Sequence, residues 1–588
     1  MKKVLIFLVF VVLLATQFLW VTMLPPGVSH DEIEYSLSSK TYALFGEDLS
    51  GTPFPLSLLQ TGTLGEISPI APLLLSPLWM IFPLSHETVR IPYVILTCII
   101  SGLVGYFAYL LFKKKSVAYL AAILFLINPW AYFLSHFAVE TSFALFFYLL
   151  GIILLLRVHG YKLLFAFLAF VLGFFSYHGA KLLFLPIILI CLVYRMQQKK
   201  EEKAPLHDEI TFAIAMVLFL CIYALENLLI SSSIITGRAD DIIFLNSELL
   251  TKYVNEFRTQ SILSPFSSLF INKGTESLRL MAQNYFVVIS PLHLFITGDP
   301  RAVLSYHYHG LFYWYECVFI VFAIFSLARK NRITFFSLLA LILIVPLPSA
   351  VSAQSEAIIT RSFMLLPLLI VLCAYGMFVF YKLMPKAVYK KAFAVILIGI
   401  MSFGYFNFLY FYFFRLPILG QENFYTSQRA LAKYVSFETA QGFPVIVIDD
   451  SPREVYLETI FYSDPQKKTS LLTKQKEEFL KGNYTIDSAT FTNVCPQKAA
   501  PTVTYIVSTT RKSCLSKAKA SYYIFDRADS GHIYKVINGN LCRGVEMMPW
   551  KNNHTFSDFA IEQMDEVTFC DRWLITSEQH EEPENPLK

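Results

Sequence analysis

The stretch SHDEIEY, residues 29–35, comes directly after an almost wholly apolar N-terminal segment at residues 4–24. It places three carboxylates, those of Asp31, Glu32 and Glu34, at the point where the chain leaves the apolar segment. Charge beside a bilayer is costly unless the group is solvated, paired or used in function. The stretch therefore predicts a membrane boundary whose acidic side chains act on a membrane-bound substrate.

The composition of the chain is that of an integral membrane protein. Of its 588 residues, 55% are apolar and only 15% are charged, whereas roughly 25% are charged in soluble domains. The apolar residues fall into blocks of about 20, the length that crosses a hydrocarbon core as a helix. The net charge of +5 does not indicate binding to nucleic acid, because the basic residues cluster in short loops between the blocks.

The hydrophobic blocks predict a polytopic protein with about 11 transmembrane helices. We place these helices at residues 4–24, 88–111, 116–131, 138–156, 161–176, 181–195, 211–231, 311–328, 333–349, 362–383 and 392–414. The N-terminal segment lacks a clear small-x-small cleavage site, which favours a retained first span over a cleaved signal peptide.

The distribution of basic residues predicts the orientation of the chain. Lysines and arginines concentrate in alternate loops, and such loops face the cytoplasm. By contrast, the loop at residues 25–87 contains one basic residue, Lys40, against seven acids. We therefore predict a plasma-membrane protein with a cytoplasmic N-terminus and an extracytoplasmic C-terminus.

Three stretches interrupt the hydrophobic pattern. The outer loops at residues 25–87 and 232–310 contain apolar patches, such as PIAPLLLSPLW, that are typical of short helices in the membrane interface. The tail, residues 416–588, has the composition of a soluble domain. Its sequence predicts three strands, in FPVIVIDD, TVTYIVST and SYYIFDR, and one helix, in PREVYLETIFY. Strands that alternate with helices predict an α/β fold. The predicted organisation is a membrane module at residues 1–415 followed by an extracytoplasmic α/β domain.

Four of the nine cysteines lie in the tail: Cys495, Cys514, Cys542 and Cys570. An even number of cysteines in an oxidising compartment predicts two disulfides, although four cysteines allow three pairings. The other five lie in or beside predicted spans, where packing is their expected role.

The predicted topology places most of the conspicuous polar residues on the outer side of the membrane. Besides Asp31 and Glu32 they are His136, Glu140, Tyr177, His178, Lys181, Asp299, Arg301, His307, His309, Glu356 and Arg361. The inner side carries loop lysines and arginines with no comparable constellation. Acids, bases and cations on one face predict an active site for a reaction at the outer leaflet.

Structural roles remain open for several of these residues. His136 and Glu140 are four positions apart, which would put them on one helix face and allow them to pair. Lys181 could extend toward lipid headgroups, and Asp299 could cap a turn.

In four places the chain resembles the GT-C glycosyltransferases, in particular the protein O-mannosyltransferase group (glycosyltransferase family 39) and the aminoarabinose transferases of lipid A. These places are SHDEIEYSLSSKTYALFGED, NPWAYFLSHFAVETSF, NYFVVISPLHLFITGDPR and PLPSAVSAQSEAIITRSFMLLP. The resemblance covers about residues 1–415. Where many relatives have an arginine before the acid of the fourth span, this chain has His136.

The resemblance implies transfer of a sugar from a polyprenyl-phosphate-linked donor to a protein, lipid or glycan hydroxyl outside the cytoplasm. A carboxylate would act as general base on that hydroxyl, and Asp31 is the candidate, with Glu32 orienting the acceptor or sharing the role. The leaving lipid phosphate requires positive charge. Arg361 is the first candidate because a guanidinium matches phosphate in a bidentate way, followed by Lys181 and Arg301. His136, Glu140, Tyr177, His178 and Asp299 would complete the substrate site.

No cofactor is predicted. His30, Asp31 and Glu34 could offer metal ligands, but relatives with an Asp-Glu pair typically work without a metal.

The alternative function is a transporter or flippase for lipid-linked sugars. Transporters bind their substrates near the middle of the membrane, where Glu226 with Asn227 is the only strong polar pair in a late span. No Gly-rich phosphate loop is visible, in keeping with a lipid-linked donor.

Overall fold

A computed structural model describes residues 2–55, 68–201, 206–230, 241–262, 264–300, 305, 308–353, 358–421, 423–525, 532–542 and 555–576. The chain divides into two compact units. The first, the helical unit, consists of Met1–Leu19, Thr52–Ala71 and Ile91–Leu409, and the second, the sheet unit, consists of Trp20–Gly51, Pro72–Arg90 and Tyr410–Lys588. The predicted boundary at residue 415 is close to the last of these divisions. The division into domains stays a prediction, and the grouping of residues 20–51 and 72–90 with the tail was not foreseen.

The helical unit contains α-helices of very different lengths. Their bounds are Lys2–Gln17, Ile91–Phe112, Lys115–Ile127, Pro129–His136, Thr141–Arg157, Leu163–Ser176, Ala180–Glu201, His207–Ile230, Ser247–Thr259, Ser267–Phe270, Lys273–Val288, Glu316–Lys330, Arg332–Ile344, Leu347–Val351, Ile358–Arg361, Leu365–Leu383 and Ala387–Tyr410.

Six helices among the described residues are long and apolar enough to cross a membrane. They are Ile91–Phe112, Ala180–Lys200, His207–Leu225, Arg332–Val351, Leu365–Leu383 and Ala387–Leu419. The chain is therefore a multi-pass membrane protein. The predicted number of about 11 spans is not confirmed, because a hydrophobic block need not form one unbroken helix of about 20 residues.

The segment around Asn128 shows how a hydrophobic block is interrupted. Lys115–Ile127 and Pro129–His136 meet at an angle of 59° and could together form a seventh span. Pro129 has no N–H to continue the first helix. The Asn128 side chain accepts hydrogen bonds from the backbone N–H groups of Trp130 and Ala131, at 2.9 and 3.3 Å. Asn128 thus starts a new helix in a new direction.

The sheet unit contains the predicted α/β fold. Its strands are β1 Val445–Ile448, β2 Thr485–Ile486, β3 Ala489–Thr492, β4 Thr504–Ser508, β5 Tyr522–Phe525, β6 His532–Ile537 and β7 Leu574–Thr576. Its α-helices include His30–Phe45, Leu416–Leu419, Thr426–Ala440, Pro452–Tyr462, Pro465–Leu480 and Glu566–Trp573, and Ile70–Ile81 begins just before its second segment. The three strands and the helix expected in the tail are thereby confirmed.

The seven strands form one sheet in the order β2-β3-β1-β4-β6-β5-β7. β1 runs parallel to β3 and to β4, and the other pairs are antiparallel. All five residues of β4 are buried, as expected for a strand covered on both faces. β1 pairs with β3 on one side and with β4 on the other, so the chain crosses from one side of β1 to the other between these two strands. The carboxyl end of β1 leads directly into the helix Pro452–Tyr462. Functional groups in α/β sheets concentrate at such points.

Two disulfides join the tail cysteines, as predicted, and the structure resolves their pairing. Cys495 is bonded to Cys514 and Cys542 to Cys570. Cys514 also belongs to a buried apolar cluster with Ile448 and Val507. The first disulfide therefore connects a loop to the core beneath β1 and β4.

Candidate active site

The helix His30–Phe45, here called the acidic helix, begins at a defined residue. The Ser29 side chain accepts a hydrogen bond from the Glu32 N–H, and the Glu32 carboxylate accepts one from the Ser29 N–H at 2.9 Å. This reciprocal arrangement is a capping box. The helix ends at Gly46, whose positive φ of 73° suits a residue without a Cβ atom.

Glu32 is buried in an ion pair with Arg90. The Arg90 guanidinium donates to both Glu32 carboxylate oxygens, at 3.0 and 3.2 Å, and both side chains are 0% exposed. Arg90 also donates to the carbonyl oxygens of Pro25 and Gly27, at 2.8 and 2.6 Å. With the Ser29 hydroxyl and N–H also bound to it, the Glu32 carboxylate is directed into the protein. This geometry holds the turn ahead of the acidic helix.

Replacing Arg90 with Met would leave the Glu32 carboxylate buried without its cation. Removing one partner of a buried ion pair costs about 3–5 kcal/mol, and we expect Arg90→Met to lower the free energy of unfolding by about that amount. Arg511→Met is the control, because Arg511 pairs with Asp450 at 2.8 Å and the side chains are 26% and 60% exposed. Exposed pairs contribute about 0–1 kcal/mol. Denaturant unfolding in detergent measures the free energy of unfolding of both variants. Equal losses of stability would contradict the expectation that the buried pair contributes more than the exposed one.

Glu34 and His30 form a second polar cluster with the helix Pro452–Tyr462. Arg453 donates a hydrogen bond to Glu34. The His30 ring lies between two carboxylates, with Nε2 3.6 Å from Glu34 Oε1 and Nδ1 3.8 Å from Glu458 Oε1. Glu34 and Glu458 are both buried. The sequence analysis did not identify Arg453 or Glu458, which lie more than 400 positions from their partners.

The electrostatics of this cluster favour a protonated imidazole. Burial lowers the pKa of His30, but its interactions with Glu34 and Glu458 outweigh burial and raise the pKa to about 10. Burial raises the pKa of Glu34, and the His30 and Arg453 cations reverse this effect and lower it. Burial raises the pKa of Glu458 to about 7, against the opposing influence of His30.

His30 makes the stability of the protein depend on pH. Its pKa is about 10 in the folded chain against an ordinary value of 6.5, so folding is favoured by the bound proton. This contribution is complete below pH 6.5 and is lost as the pH rises toward 10. We expect the melting temperature to fall over that range in the wild type and to fall less in His30→Gln. Thermal unfolding at a series of pH values measures this dependence, and His207→Gln, at an exposed histidine, is the control. The expectation is contradicted if the melting temperatures of the wild type and of His30→Gln fall in parallel as the pH rises.

Asp31 differs from its neighbours in exposure. It lies in the first turn of the acidic helix and is exposed, whereas Glu32 and Glu34 are buried. The buried carboxylates of Glu32 and Glu34 are bound by Arg90 and Arg453 and anchor the helix, while Asp31 remains exposed. Of these three predicted acids, Asp31 is the one that a substrate can reach.

In the helical unit, the structure brings Glu140, Tyr177 and Arg361 together. The Tyr177 hydroxyl interacts electrostatically with the Arg361 guanidinium, with the Glu140 carboxylate and with the Thr360 side chain. Burial raises the pKa of Tyr177, and the Arg361 guanidinium opposes that rise. Glu140 also accepts a hydrogen bond from the Ser68 N–H at 3.1 Å. These side chains come from three separate segments of the sequence.

The short helix that ends at Arg361 is held through both backbone polar groups of one residue, Ile359. The buried Asp299 carboxylate accepts a hydrogen bond from the Ile359 N–H at 2.9 Å. The Trp130 indole donates to the Ile359 carbonyl oxygen at 3.1 Å. Asp299 therefore positions the backbone next to Arg361. Three of the four segments on which the resemblance rests meet around this helix.

The remaining predicted residues are placed as follows. His136 is buried and stacks on Tyr132, with ring centroids 4.3 Å apart. It ends one helix, whereas Glu140 precedes the next, so the expectation that both lie on one helix face is wrong. Lys181 donates to the Tyr223 hydroxyl at 3.0 Å, and His178 is half-buried in the same turn.

Several predicted residues lie outside the described part of the chain. They are Arg301, His307, Glu356 and the side chains of Glu226 and Asn227. His309 is described, and its ring stacks on Phe133 at 5.6 Å.

Within the described residues, no group of three or more His, Cys, Asp or Glu side chains is arranged to hold a metal ion. Whether the reaction requires a metal stays a prediction.

A further polar cluster, which the sequence analysis did not identify, joins a loop arginine and a loop lysine to a buried acid. Arg195 and Lys199 both bind the buried carboxylate of Glu209, with the Lys199 contact at 2.9 Å. Arg195 also donates to the carbonyl oxygen of Val158 at 2.7 Å, and Asp208 accepts from the Gly160 N–H at 2.9 Å. The cluster joins the ends of neighbouring helices, and its partners balance one another in charge.

No protein-family model matches the chain, and no curated protein matches it in sequence. Solved structures do match it. The archaeal oligosaccharyltransferase AglB from Archaeoglobus fulgidus, in complex with an inhibitory peptide and a dolichol-phosphate, has a TM-score of 0.46 and 12% identity, covering 93% of this chain and 75% of its own. ArnT from Cupriavidus metallidurans, in the apo state and bound to undecaprenyl phosphate, has a TM-score of 0.42 and 12% identity, covering 90% of this chain and 97% of its own.

Both neighbours are GT-C superfamily glycosyltransferases, and at 12% identity their likeness to this chain is one of fold. At these TM-scores and identities they indicate nothing about substrate, mechanism or the roles of individual residues. Those roles have to be inferred from the side chains of this chain.

Proposed function

We propose that this protein is a membrane glycosyltransferase that moves a sugar from a polyprenyl-phosphate-linked donor to an acceptor hydroxyl at the outer face of the plasma membrane. The observation that carries the proposal is the fixed position of the helix that ends at Arg361, whose residue Ile359 is held by Asp299 and Trp130. A guanidinium held in advance stabilises negative charge that develops on a phosphate without further reorganisation.

Arg361 has the role of binding the phosphate of the donor. Its guanidinium can contact two phosphate oxygens at once. Tyr177 and Glu140 lie in the same cluster and supply a hydroxyl and a carboxylate that can orient the guanidinium and the sugar. Lys181, His178, His136 and Arg301 remain candidates for substrate binding.

Asp31 has the role of general base. It is an exposed carboxylate on a helix whose first turn is fixed by the buried Glu32 and Glu34. A base has to reach the proton that it removes and keep a defined orientation. Glu32 is directed toward Arg90 and acts as a positioning residue, so we assign proton removal to Asp31 alone.

The proposed reaction balances without a further reactant. The acceptor oxygen attacks the anomeric carbon and forms a new C–O bond, while its proton passes to the Asp31 carboxylate. The bond from the anomeric carbon to the phosphate oxygen breaks, and the electron pair leaves with polyprenyl phosphate. This leaving group is already a stable anion, so it requires positive charge rather than a proton.

The proposal is tested in cells by mass spectrometry of surface glycans, glycolipids and glycoproteins, with and without the gene. We expect one sugar to be missing from one class of acceptor when the gene is absent. Wild-type protein should restore it, whereas Asp31→Asn should not, at equal amounts of protein in the membrane. Identical profiles with and without the gene would contradict the proposal.

A further inference from the structure

We infer that the tail positions the catalytic acid: Arg453 and Glu458, in the helix Pro452–Tyr462, hold the acidic helix so that Asp31 is correctly oriented. This inference rests on the proposed function of Asp31 as general base. It gives the tail a part in positioning the catalytic acid. All the contacts involved lie within the sheet unit.

The backbone just ahead of the acidic helix is bound by the tail at successive positions. Arg429 donates a hydrogen bond to the Pro26 carbonyl oxygen, and the Tyr462 hydroxyl accepts one from the Val28 N–H at 2.9 Å. Between them, Gly27 packs so closely on the tail that a Cβ atom there would lie 1.9 Å from the carbonyl oxygen of Phe424. Three consecutive residues are thus fixed against residues 424–462.

The first turn of the acidic helix is bound by the same helix of the tail. Glu34 accepts from Arg453, and His30, one turn earlier, lies beside Glu458. Asp31 lies between these two attachment points in the sequence. A helix held at both its first and fifth residues cannot rotate about its axis, so the direction of the Asp31 side chain is set by the tail.

The two contacts differ from ordinary surface ion pairs in their burial. Glu34 is 4% exposed and Glu458 is 2% exposed. A buried carboxylate that loses one of its two cations, here Arg453 while His30 stays, is destabilised where it lies. Removing Arg453 is therefore expected to release Glu34 toward solvent and to turn the helix. A displacement of about 1 Å at a reacting group can lower a rate about 100-fold.

The test compares Arg453→Met with Arg511→Met in the full-length protein reconstituted in liposomes. Both arginines are 26% exposed, and Arg511 pairs with Asp450 at 2.8 Å, where the acid is 60% exposed. Two quantities are measured: hydrogen exchange of the backbone amides at residues 26–45, and donor-dependent release of polyprenyl phosphate from an undecaprenyl-phosphate-linked sugar. We expect Arg453→Met to accelerate exchange across these residues and to lower kcat about 10- to 100-fold, with KM for the donor unchanged. Arg511→Met should change neither quantity.

Arg453→Lys keeps a cation at the site and should restore part of kcat and slow the exchange. Glu458→Gln is a second variant that leaves the Arg453–Glu34 pair intact and should give a smaller change in the same direction. The inference is overturned if Arg453→Met has the hydrogen-exchange rates and the kcat of the wild type. It is also overturned if the kcat of Arg453→Lys is no higher than that of Arg453→Met. If the wild type shows no transfer while the exchange data follow the expectation, the proposed function fails and the positioning of the helix stands.

Discussion

Asp31→Asn is expected to lower the rate of sugar transfer by about 100- to 10,000-fold, the usual contribution of a general base. The amide is close in size to the carboxylate but cannot accept the proton of the acceptor hydroxyl. Asp31 is exposed in the first turn of the acidic helix, so its replacement by an amide of nearly the same size opens no cavity and leaves no buried charge unpaired. The loss should therefore appear in kcat, with the folded fraction and the melting temperature unchanged.

The measurement is the initial rate of polyprenyl phosphate release by purified protein in liposomes. Asp31→Glu should retain more activity than Asp31→Asn, because it keeps a base on a longer side chain. Glu47→Gln, just beyond the end of the acidic helix, serves as the control and should behave like the wild type. Full activity of Asp31→Asn would remove Asp31 from the mechanism.

Arg361→Met is expected to lower transfer by about 100- to 1,000-fold, the effect typical of removing one group that stabilises charge in a transition state. The methionine keeps much of the side-chain length but has no positive charge for the leaving phosphate. The backbone of this helix is held through Ile359 by Asp299 and Trp130, so its position should survive the substitution.

Inhibition by polyprenyl phosphate, measured in several variants, separates a role of Arg361 in phosphate binding from a general structural effect. Polyprenyl phosphate should inhibit the wild type and Arg361→Lys, and should inhibit Arg361→Met much less. Arg279→Met, on the helix Lys273–Val288 of the same unit, is the control for loss of one arginine. Unchanged inhibition of Arg361→Met by polyprenyl phosphate would assign the phosphate to another cation.

The acidic stretch illustrates what the sequence can predict. A run of acids after an apolar segment predicts a functional location, because charge beside a bilayer is costly unless it is solvated, paired or used in function. It cannot show which acid faces outward, since that depends on pairing partners. Glu32 meets Arg90 across 58 residues and Glu34 meets Arg453 across 419. Such pairs form only when the tertiary structure brings distant segments together.

Local patterns were predicted well where the chain itself carries the signal. The strand at Val445–Ile448 and the helix at Pro452–Tyr462 follow from an apolar run and a proline at the start of a helix. The disulfides were predicted in number, but their pairing depends on which loops meet. The same holds for Arg361, whose importance was predicted from the resemblance but whose supports, Trp130 and Tyr177, were not assigned to it.

The hydrophobic blocks were less informative about the helices that they form. Residues 138–156 and 161–176 were predicted as spans, and the structure has helices of 17 and 14 residues there. Composition measures how apolar a block is, whereas the length of a helix depends on capping groups and breaks such as Asn128–Pro129. The pairing of His136 with Glu140 on one helix face failed for the same reason, because a helix ends between them.

The most direct test of the central claim uses the purified protein in liposomes with a panel of radiolabelled undecaprenyl-phosphate-linked hexoses and pentoses. Membranes and envelope material from cells that lack the gene provide the acceptor. The proposed function predicts that one donor releases polyprenyl phosphate while its sugar becomes covalently attached to the acceptor, and that Asp31→Asn does neither. Movement of an intact lipid-linked sugar across the bilayer, with no release of polyprenyl phosphate from any donor, would contradict it and identify a transporter instead.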